Sequence, residues 1–345
     1  MAVRNITAPR HPEAAGAIIN GIARYGAGLP AGTKIDDAVV KAFASLPNGR
    51  QVAQRMTQNF QRLPKAQRAK AYGELGFVGA VNLGNVRVDQ ILKNLKPVVK
   101  LRRDDVGPAQ PPPPNPTDFF TLSFTGIYCR DETDWDRFSN SDEAYVITSV
   151  VQVVDGDNVV RTEKHPVSQV EYGDLDSGEW RTGPIAACWA GREDEISLVT
   201  AFFERDEGNP NAYREEIHAI VKLAALAAEA WAGVSVPIAV QELAEDLIVA
   251  LIGSADDLIE TDYRVIGGPA MRLYAATPVA AYRNTRMAIK PNFSIAQEPV
   301  VTDIPHHFAT SHKGGGAEYF TCFRFTKETR AIPVVPMAVA TPVGP

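Results

Sequence analysis

In the first hundred residues, apolar side chains recur every three to four positions, which is the spacing along one face of an amphipathic helix. Gly, Pro and Asn interrupt the pattern at 26–30, 47–49 and 64, and these residues commonly end helices. Further helices are predicted over 65–75 and 88–95. The pattern predicts a bundle of about four or five short helices, with apolar faces formed by Ile18, Ile19, Ile22, Val39, Val40, Phe43, Val52, Met56, Phe60 and Leu63.

The pattern changes to extended structure after the first third of the chain. The segments 119–128, 144–154, 196–203 and 318–325 are rich in Val, Ile, Thr, Tyr and Phe. These residue types favour strands that are half buried in a pleated sheet. The predicted fold class is therefore α+β, with an N-terminal helical bundle followed by an antiparallel β-sandwich.

Residues 213–253 return to a helical pattern inside the region of strands, and the short connection near Pro237 predicts an antiparallel helical hairpin. One interpretation is that its apolar face contacts a membrane or a partner through Trp231, Leu243, Leu247 and Leu251. The other is that this face packs against the sandwich or the bundle. Packing is favoured because burying a charged side chain in a bilayer is costly, and this segment contains Lys222, Glu229, Glu242, Glu245 and Asp246.

The distribution of charge divides the chain in two. Residues 1–106 hold 17 Lys and Arg against 7 Asp and Glu, a net charge of +10, and the rest holds 18 against 34, a net charge of −16. The change coincides with a Pro-rich segment, which favours a stiff extended spacer. We therefore predict a basic helical domain over 1–103, a linker over 104–117 and an acidic domain over 118–345. A chain of 345 residues is long enough for two domains.

Basic residues cluster within the predicted bundle. Such a cluster suits an anionic partner, which could be a phosphate group, an anionic membrane or an acidic protein surface. The alternative is a solvated bundle whose charge complements the acidic region. No helix-turn-helix or aromatic-interleaved pattern predicts the reading of bases, so nucleic acid is not expected as a partner. The candidate anion-binding residues are Arg50, Arg55, Arg62, Lys65, Arg68 and Lys70.

Carboxylates crowd the segment between the first two predicted strands. Side chains this close repel one another unless they are solvated or neutralised by a cation. Ca²⁺ binds about six to eight oxygen ligands and suits such a loop, although acidic loops also serve simply to solvate strand ends. The acidic residues in and beside this loop are Asp131, Glu132, Asp134, Asp136, Asp142 and Glu143.

Two segments in this region resemble the calcium loops of C2 domains. Asp136, followed by the segment 141–146 that contains Asp142, resembles the first loop, commonly D-x5-D in a segment ending SDPYV. The apolar run from Ile196 to Glu204 and Asp206 resembles the strand that enters the third loop, with Glu204 in the place of an Asp. The resemblance covers about residues 118–265 and implies a calcium-binding β-sandwich. The implied ligands are Asp136, Asp142, Glu204, Asp206 and Asp257, with contributions from Asp131, Glu132, Asp134 and Asp256.

Sequence signatures of catalysis are absent, since the chain has no GxSxG, HExxH or Walker motif. His306, His307 and His312 could bind a transition metal, although a hairpin turn before 318–325 explains the segment equally well. The three cysteines are far apart and form no CxxC pair, which argues against a disulfide scaffold. An enzyme is therefore not predicted.

Together these patterns favour a calcium-linked binding module that engages a membrane surface or a protein partner, with Ca²⁺ as its expected cofactor. One alternative is a structural or assembly protein that docks through its helical domain. Another is a secreted effector that inserts its hairpin into a membrane. No signal peptide or long apolar run is recognised, which predicts a cytoplasmic protein or one exported without a classical signal. The opening of the acidic region also resembles that of some bacterial proteins to which no activity is attached, and homo-oligomer formation is left open.

Overall fold

The computed structural model contains both helices and antiparallel sheets, so the predicted α+β class is confirmed. Everything below concerns the residues that it describes. These are 9, 11–77, 111–131, 143–154, 157–165, 175, 177–182, 185–205, 210–232, 237–252, 257–277, 285–289, 295–299, 305–314 and 316–329.

The N-terminal region forms four helices: α1 (Pro12–Gly26), α2 (Lys34–Ala44), α3 (Gly49–Arg62) and α4 (Lys65–Tyr72). A 3-10 turn over Gly73–Gly76 follows α4. The helices predicted in these stretches are thus present. The helix predicted over 88–95 lies outside the described residues.

Local chemistry explains where these helices begin. The Thr33 hydroxyl accepts a hydrogen bond from the Asp36 amide while the Asp36 carboxylate accepts one from the Thr33 amide, a reciprocal capping box that starts α2. α3 begins at Gly49, where a Cβ would lie 2.1 Å from the carbonyl oxygen of Phe43. Only glycine allows the chain to turn this closely from α2 into α3.

Eleven strands lie in the described part of the chain beyond the bundle. They are β1 (Asp118–Asp131), β2 (Glu143–Val154), β3 (Asp157–His165), β4 (Trp180–Arg181), β5 (Ala186–Arg192), β6 (Ile196–Arg205), β7 (Asp257–Ile266), β8 (Thr285–Ile289), β9 (Ile295–Pro299), β10 (Phe308–Gly314) and β11 (Ala317–Thr329). Between β6 and β7 come helices α5 (Pro210–Ala232) and α6 (Pro237–Leu251), and after β7 comes α7 (Gly268–Ala276).

The strands form two main antiparallel sheets. The five-stranded sheet has the order β10-β11-β1-β4, and β5 pairs with another part of β1. The four-stranded sheet has the order β3-β2-β6-β7. A separate two-stranded ribbon pairs β8 with β9.

The four-stranded sheet is covered on both faces. Along β2, Ala144 and Val146 belong to an apolar cluster shared with the five-stranded sheet and α7. Tyr145 and Ile147, which point to the other face, belong to a second cluster shared with the helices. Since side chains alternate along a strand, the four consecutive apolar residues 144–147 of β2 are the expected sequence of a strand buried on both sides.

The second cluster joins the N-terminal bundle to α5 and α6. It contains Phe43 and Phe60 of the bundle together with Ile217 of α5 and Leu247 of α6, all 0% exposed. The apolar core is therefore continuous across the two regions that the charge pattern separates. The predicted domain boundaries themselves remain a prediction.

The hairpin residues proposed as membrane or partner contacts lie inside this core. Leu243, Leu247 and Leu251 are each 0% exposed, which is the burial that packing against the rest of the protein predicts. They therefore present no apolar surface to a membrane or partner. The side chain of Trp231 is outside the described set.

The described end of the Pro-rich segment is held against the β-region. Arg272 of α7 donates through Nε to the carbonyl oxygen of Pro112 at 2.5 Å, and Arg192 donates to that of Pro116. Arg272 also pairs with Glu193. Residues 111–117 therefore contact α7 and β5 through defined hydrogen bonds, which a freely extended spacer would not make.

Candidate functional site

Acidic residues converge at one end of the four-stranded sheet. In the antiparallel register Glu204, near the end of β6, lies opposite Asp257 at the start of β7. On its other side Glu204 lies opposite Ala144, next to Glu143 at the start of β2. The register thus brings backbone positions at the two ends of the predicted third calcium loop, and the strand that follows the first loop, to one end of this sheet.

Asp131 ends β1 in the other sheet, where it is exposed and lies opposite Glu318 of β11. Glu318 is paired with two cations, since its carboxylate lies 3.3 Å from Arg130 Nη1 and 3.0 Å from Lys313 Nζ. The chain then runs from Asp131 to Glu143, and so the segment 132–142, which has four carboxylates, connects the two sheets.

Most of the predicted ligands belong to segments beyond those described. Glu132, Asp134, Asp136, Asp142, Asp206 and Asp256 lie outside the described residues, and only the backbone of Asp257 is described. Within the described part of the chain, no three His, Cys, Asp or Glu side chains form a group that could hold a metal ion. The calcium site thus stays a prediction.

Stacked aromatic rings attach α5 to this end of the sheet. The ring of Phe203 stacks on Tyr145 of the neighbouring strand, with centroids 5.0 Å apart, and on Tyr213 in the first turns of α5, at 5.6 Å. All three rings are buried. They fix the position at which the chain leaves β6 and enters the helical pair.

The predicted anion-binding residues fall into two groups. Arg55 and Arg68 are engaged within the protein. Arg55 pairs with the buried carboxylate of Glu216, and Arg68 donates to the carbonyl oxygens of Leu63 at 3.1 Å and Gly76 at 2.8 Å. The exposed group consists of Arg50, Arg62, Lys65 and Lys70.

The exposed side of α3 is polar throughout. Arg50 and Arg62 stand near its two ends, about 18 Å apart along the axis at 1.5 Å per residue. Between them, the exposed residues are all glutamines: Gln51, Gln54, Gln58 and Gln61. We call these six residues the α3 face. Gln54 donates to the carbonyl oxygen of Gly26 at 2.9 Å, which keeps this part of the helix against the end of α1.

Two of the three histidines considered as metal ligands, His307 and His312, are hydrogen-bonded inside the protein. His307 Nδ1 accepts a hydrogen bond from the Phe325 amide at 2.9 Å, while Nε2 lies 3.1 Å from the Thr277 carbonyl oxygen. His312 Nε2 lies 3.1 Å from the Thr310 hydroxyl and 3.0 Å from the Thr321 hydroxyl, and its Nδ1 lies 3.3 Å from the Glu260 carbonyl oxygen of β7. With both ring nitrogens engaged, neither imidazole offers a free lone pair to a metal.

Burial keeps these imidazoles neutral. It lowers the pKa of His307 to about 4 and that of His312 to about 3, against a weaker opposing effect of their carbonyl partners. His218 of α5, 3.1 Å from the Thr162 hydroxyl of β3, has its pKa lowered to about 4, again chiefly by burial. These neutral rings are hydrogen-bonding parts of the core.

Glu216 is an important residue that sequence reasoning did not single out. It is 0% exposed, and burial raises its pKa to about 7 although Arg55 acts to lower it. A signal for it existed, because Glu216 falls between Tyr213, Ile217 and Ile220 on the apolar side of α5. A carboxylate on such a face requires a buried partner.

No protein-family model and no curated protein matches the chain.

Among the described helices, none combines the length and the apolar character needed to cross a membrane.

Proposed function

We propose that the chain is a calcium-linked binding module whose two sheets form a C2-like sandwich, with the carboxylates at the Glu204–Asp257 end as cation ligands. The observation that carries the proposal is the register, in which Glu204 lies directly opposite Asp257 and beside the start of β2. The segment 132–142 enters the same strand, β2, and supplies four more carboxylates. Carboxylate oxygens from several loops are the ligands that calcium prefers.

The physical case rests on charge. Residues 107–345 carry a net charge of −16, and carboxylates gathered at one end of a sheet repel one another. A bound divalent cation removes this repulsion and changes the local charge by two units. Binding of a partner at this end would then depend on calcium, because the cation makes the end less negative by two charges.

Thermal unfolding tests the proposal. Calcium that binds only the folded protein stabilises it by about 2.7 kcal/mol at a concentration one hundred times its Kd. We expect the Tm to rise on adding millimolar calcium and to fall back with EDTA. The double variant Glu204→Gln, Asp257→Asn should lose most of this shift.

The matched control is Asp37→Asn, Glu74→Gln, which removes two exposed carboxylates from the bundle and should keep the full shift. An unchanged Tm for the natural chain in calcium, or an equal loss in both double variants, would refute the proposal.

A second candidate is a structural or assembly protein that docks through its helical region. The observation in its favour is the stretch 38–73, which has seven Lys and Arg and no Asp or Glu. Oligomerisation that is insensitive to calcium, measured by size exclusion with light scattering, would support it. The effector alternative has no comparable support, since Leu243, Leu247 and Leu251 are buried.

A further inference from the structure

The α3 face combines three properties. It carries cations at both ends, it presents amide side chains between them, and neither a carboxylate nor a large apolar side chain interrupts it. The large apolar residues exposed in the described structure all lie elsewhere: Leu29, Val40, Trp180, Ile185 and Val265. Lys65 and Lys70 of α4 add further exposed positive charge C-terminal to Arg62.

These properties discriminate between classes of anionic partner. A protein partner is recognised mainly through aromatic or aliphatic anchors at the centre of an interface, which this face lacks. Helices that bind lipid surfaces present Trp, Phe or Leu next to their cations, and this face has none of them. Phosphate groups of nucleic acids are bound by Arg and Lys together with Gln, Asn, Ser and backbone amides, which is the composition observed.

The dimensions agree with this choice. Arg50 and Arg62 are separated by about 18 Å of helix, which is enough to reach phosphates on both sides of a B-form major groove about 12 Å wide. The connection between α2 and α3 is short, because the Gly49 Cα lies against the Phe43 carbonyl. α3 therefore keeps one side against the bundle and presents Gln51, Gln58 and Gln61 on the other, while Gln54 is bonded to the Gly26 carbonyl oxygen.

We infer that the α3 face binds double-stranded nucleic acid through its phosphate backbone alone, with Arg50, Arg62 and Lys65 as the phosphate-binding residues. This contact reads no bases, so it does not need the base-reading patterns whose absence argued against a nucleic-acid partner in the sequence. Arg55 and Arg68 contribute nothing to this contact, because Glu216 and the carbonyl oxygens of Leu63 and Gly76 already occupy their guanidinium groups. This activity lies beyond the proposed calcium function and needs no calcium.

The salt dependence of duplex binding tests the inference, because it reports how many counterions the protein releases from the phosphates. Each phosphate neutralised by a Lys or Arg contributes about −0.9 to the slope of log K against log salt for B-form DNA. Binding of the full chain to a fluorescent duplex of mixed sequence is measured by anisotropy in EDTA at several salt concentrations. The variant Arg50→Gln, Arg62→Gln, Lys65→Gln should bind at least about tenfold more weakly at low salt and have a slope shallower by about 3.

The control variant is Lys34→Gln, Arg161→Gln, Arg214→Gln, which removes the same charge from exposed positions on α2, β3 and α5. It should keep the slope of the natural chain, and circular dichroism and Tm should establish that both variants are folded. A second duplex of unrelated sequence should bind within about threefold of the first if phosphates alone are contacted.

Four results would overturn the inference. The first is no duplex binding by the natural chain at low salt, and the second is an unchanged slope in the α3-face variant. The third is an equal loss of duplex affinity in both variants, and the fourth is binding to phosphatidylserine vesicles but not to the duplex. Because every arm contains EDTA, the outcome is independent of whether calcium changes the Tm.

Discussion

Arg55 of α3 donates through Nε to the carboxylate of Glu216 on α5, which lies 161 residues later in the chain. The Glu216 side chain is 0% exposed and the Arg55 side chain is 39% exposed. The pair crosses the contact between the N-terminal bundle and the helical pair that follows β6. Three other polar contacts cross the same boundary: Lys222 to the Ser45 hydroxyl at 2.9 Å, Asn59 to the Leu251 carbonyl at 3.2 Å, and the His11 amide to the Asp246 carboxylate at 2.8 Å.

Removing Arg55 should destabilise the protein strongly. Arg55→Ala leaves the Glu216 carboxylate buried without its cation, and breaking a buried pair in this way costs about 3 kcal/mol or more. Urea unfolding measures the difference. Arg50→Ala, a control on the exposed side of the same helix, should cost less than about 0.5 kcal/mol. Similar losses in the two variants would show that the Arg55–Glu216 pair has no special role.

Glu216 should make stability depend on pH between about 4.5 and 7. Its pKa is raised from 4.5 to about 7 in the folded state, so the folded protein binds the proton more tightly than the unfolded chain. The stabilisation is fully present below pH 4.5 and is lost as the pH rises through 7. Relative to Glu216→Gln, the natural chain should lose up to about 3 kcal/mol over this range. A pH-independent difference between the two would contradict this assignment.

His312 should have the opposite effect at acidic pH. Burial lowers its pKa from 6.5 to about 3, so protonation favours the unfolded chain, and stability falls as the pH drops below 6.5. The stability difference between the natural chain and His312→Asn should therefore shrink by about 1.4 kcal/mol per pH unit between pH 6 and 4. Denaturant titrations at several pH values measure it, and a constant difference would disprove the prediction. Glu216→Gln serves as a comparison whose difference changes with the opposite sign.

Leu247 should be as sensitive to truncation as any core residue. It is 0% exposed and shares an apolar cluster with the bundle and the four-stranded sheet. Leu247→Ala should therefore cost about 2–5 kcal/mol in the free energy of unfolding. The control, Val40→Ala, removes a side chain that is 40% exposed and should cost less than about 1 kcal/mol. A small loss for Leu247→Ala would mean that the helical pair is not held in this core in solution.

Local sequence patterns predicted most of the secondary structure because they record which side of an element is buried. The three-to-four-residue spacing around Ile18, Val39 and Val52 marks helices α1 to α3, and the apolar runs 144–154 and 196–203 mark β2 and β6. The run in β2 also indicates that both faces of this strand are buried, because apolar residues at consecutive positions point to opposite faces of the sheet. The hairpin pattern at 213–253 likewise predicted α5 and α6, with packing as the favoured interpretation.

The candidate sites were harder to predict because pairing between distant residues leaves little local signal. Arg55 and Arg62 are equivalent in the sequence, as basic residues one heptad apart on an amphipathic helix. They differ only because Glu216 approaches one of them. In the same way, His307 and His312 suggest metal ligands by their closeness in sequence, until the Phe325 amide and the Thr310 and Thr321 hydroxyls are found beside their ring nitrogens.

The sequence alone determined the α+β class, the approximate positions of the elements and the contrast between a basic first third and an acidic remainder. These depend on composition and on spacing along the chain, which are local properties. The tertiary structure decided that the bundle shares a core with α5 and α6, which basic side chains are engaged internally, and that Glu204 lies opposite Asp257. These depend on contacts between residues far apart in the chain, where burial and pairing change the chemistry of side chains that are identical in sequence.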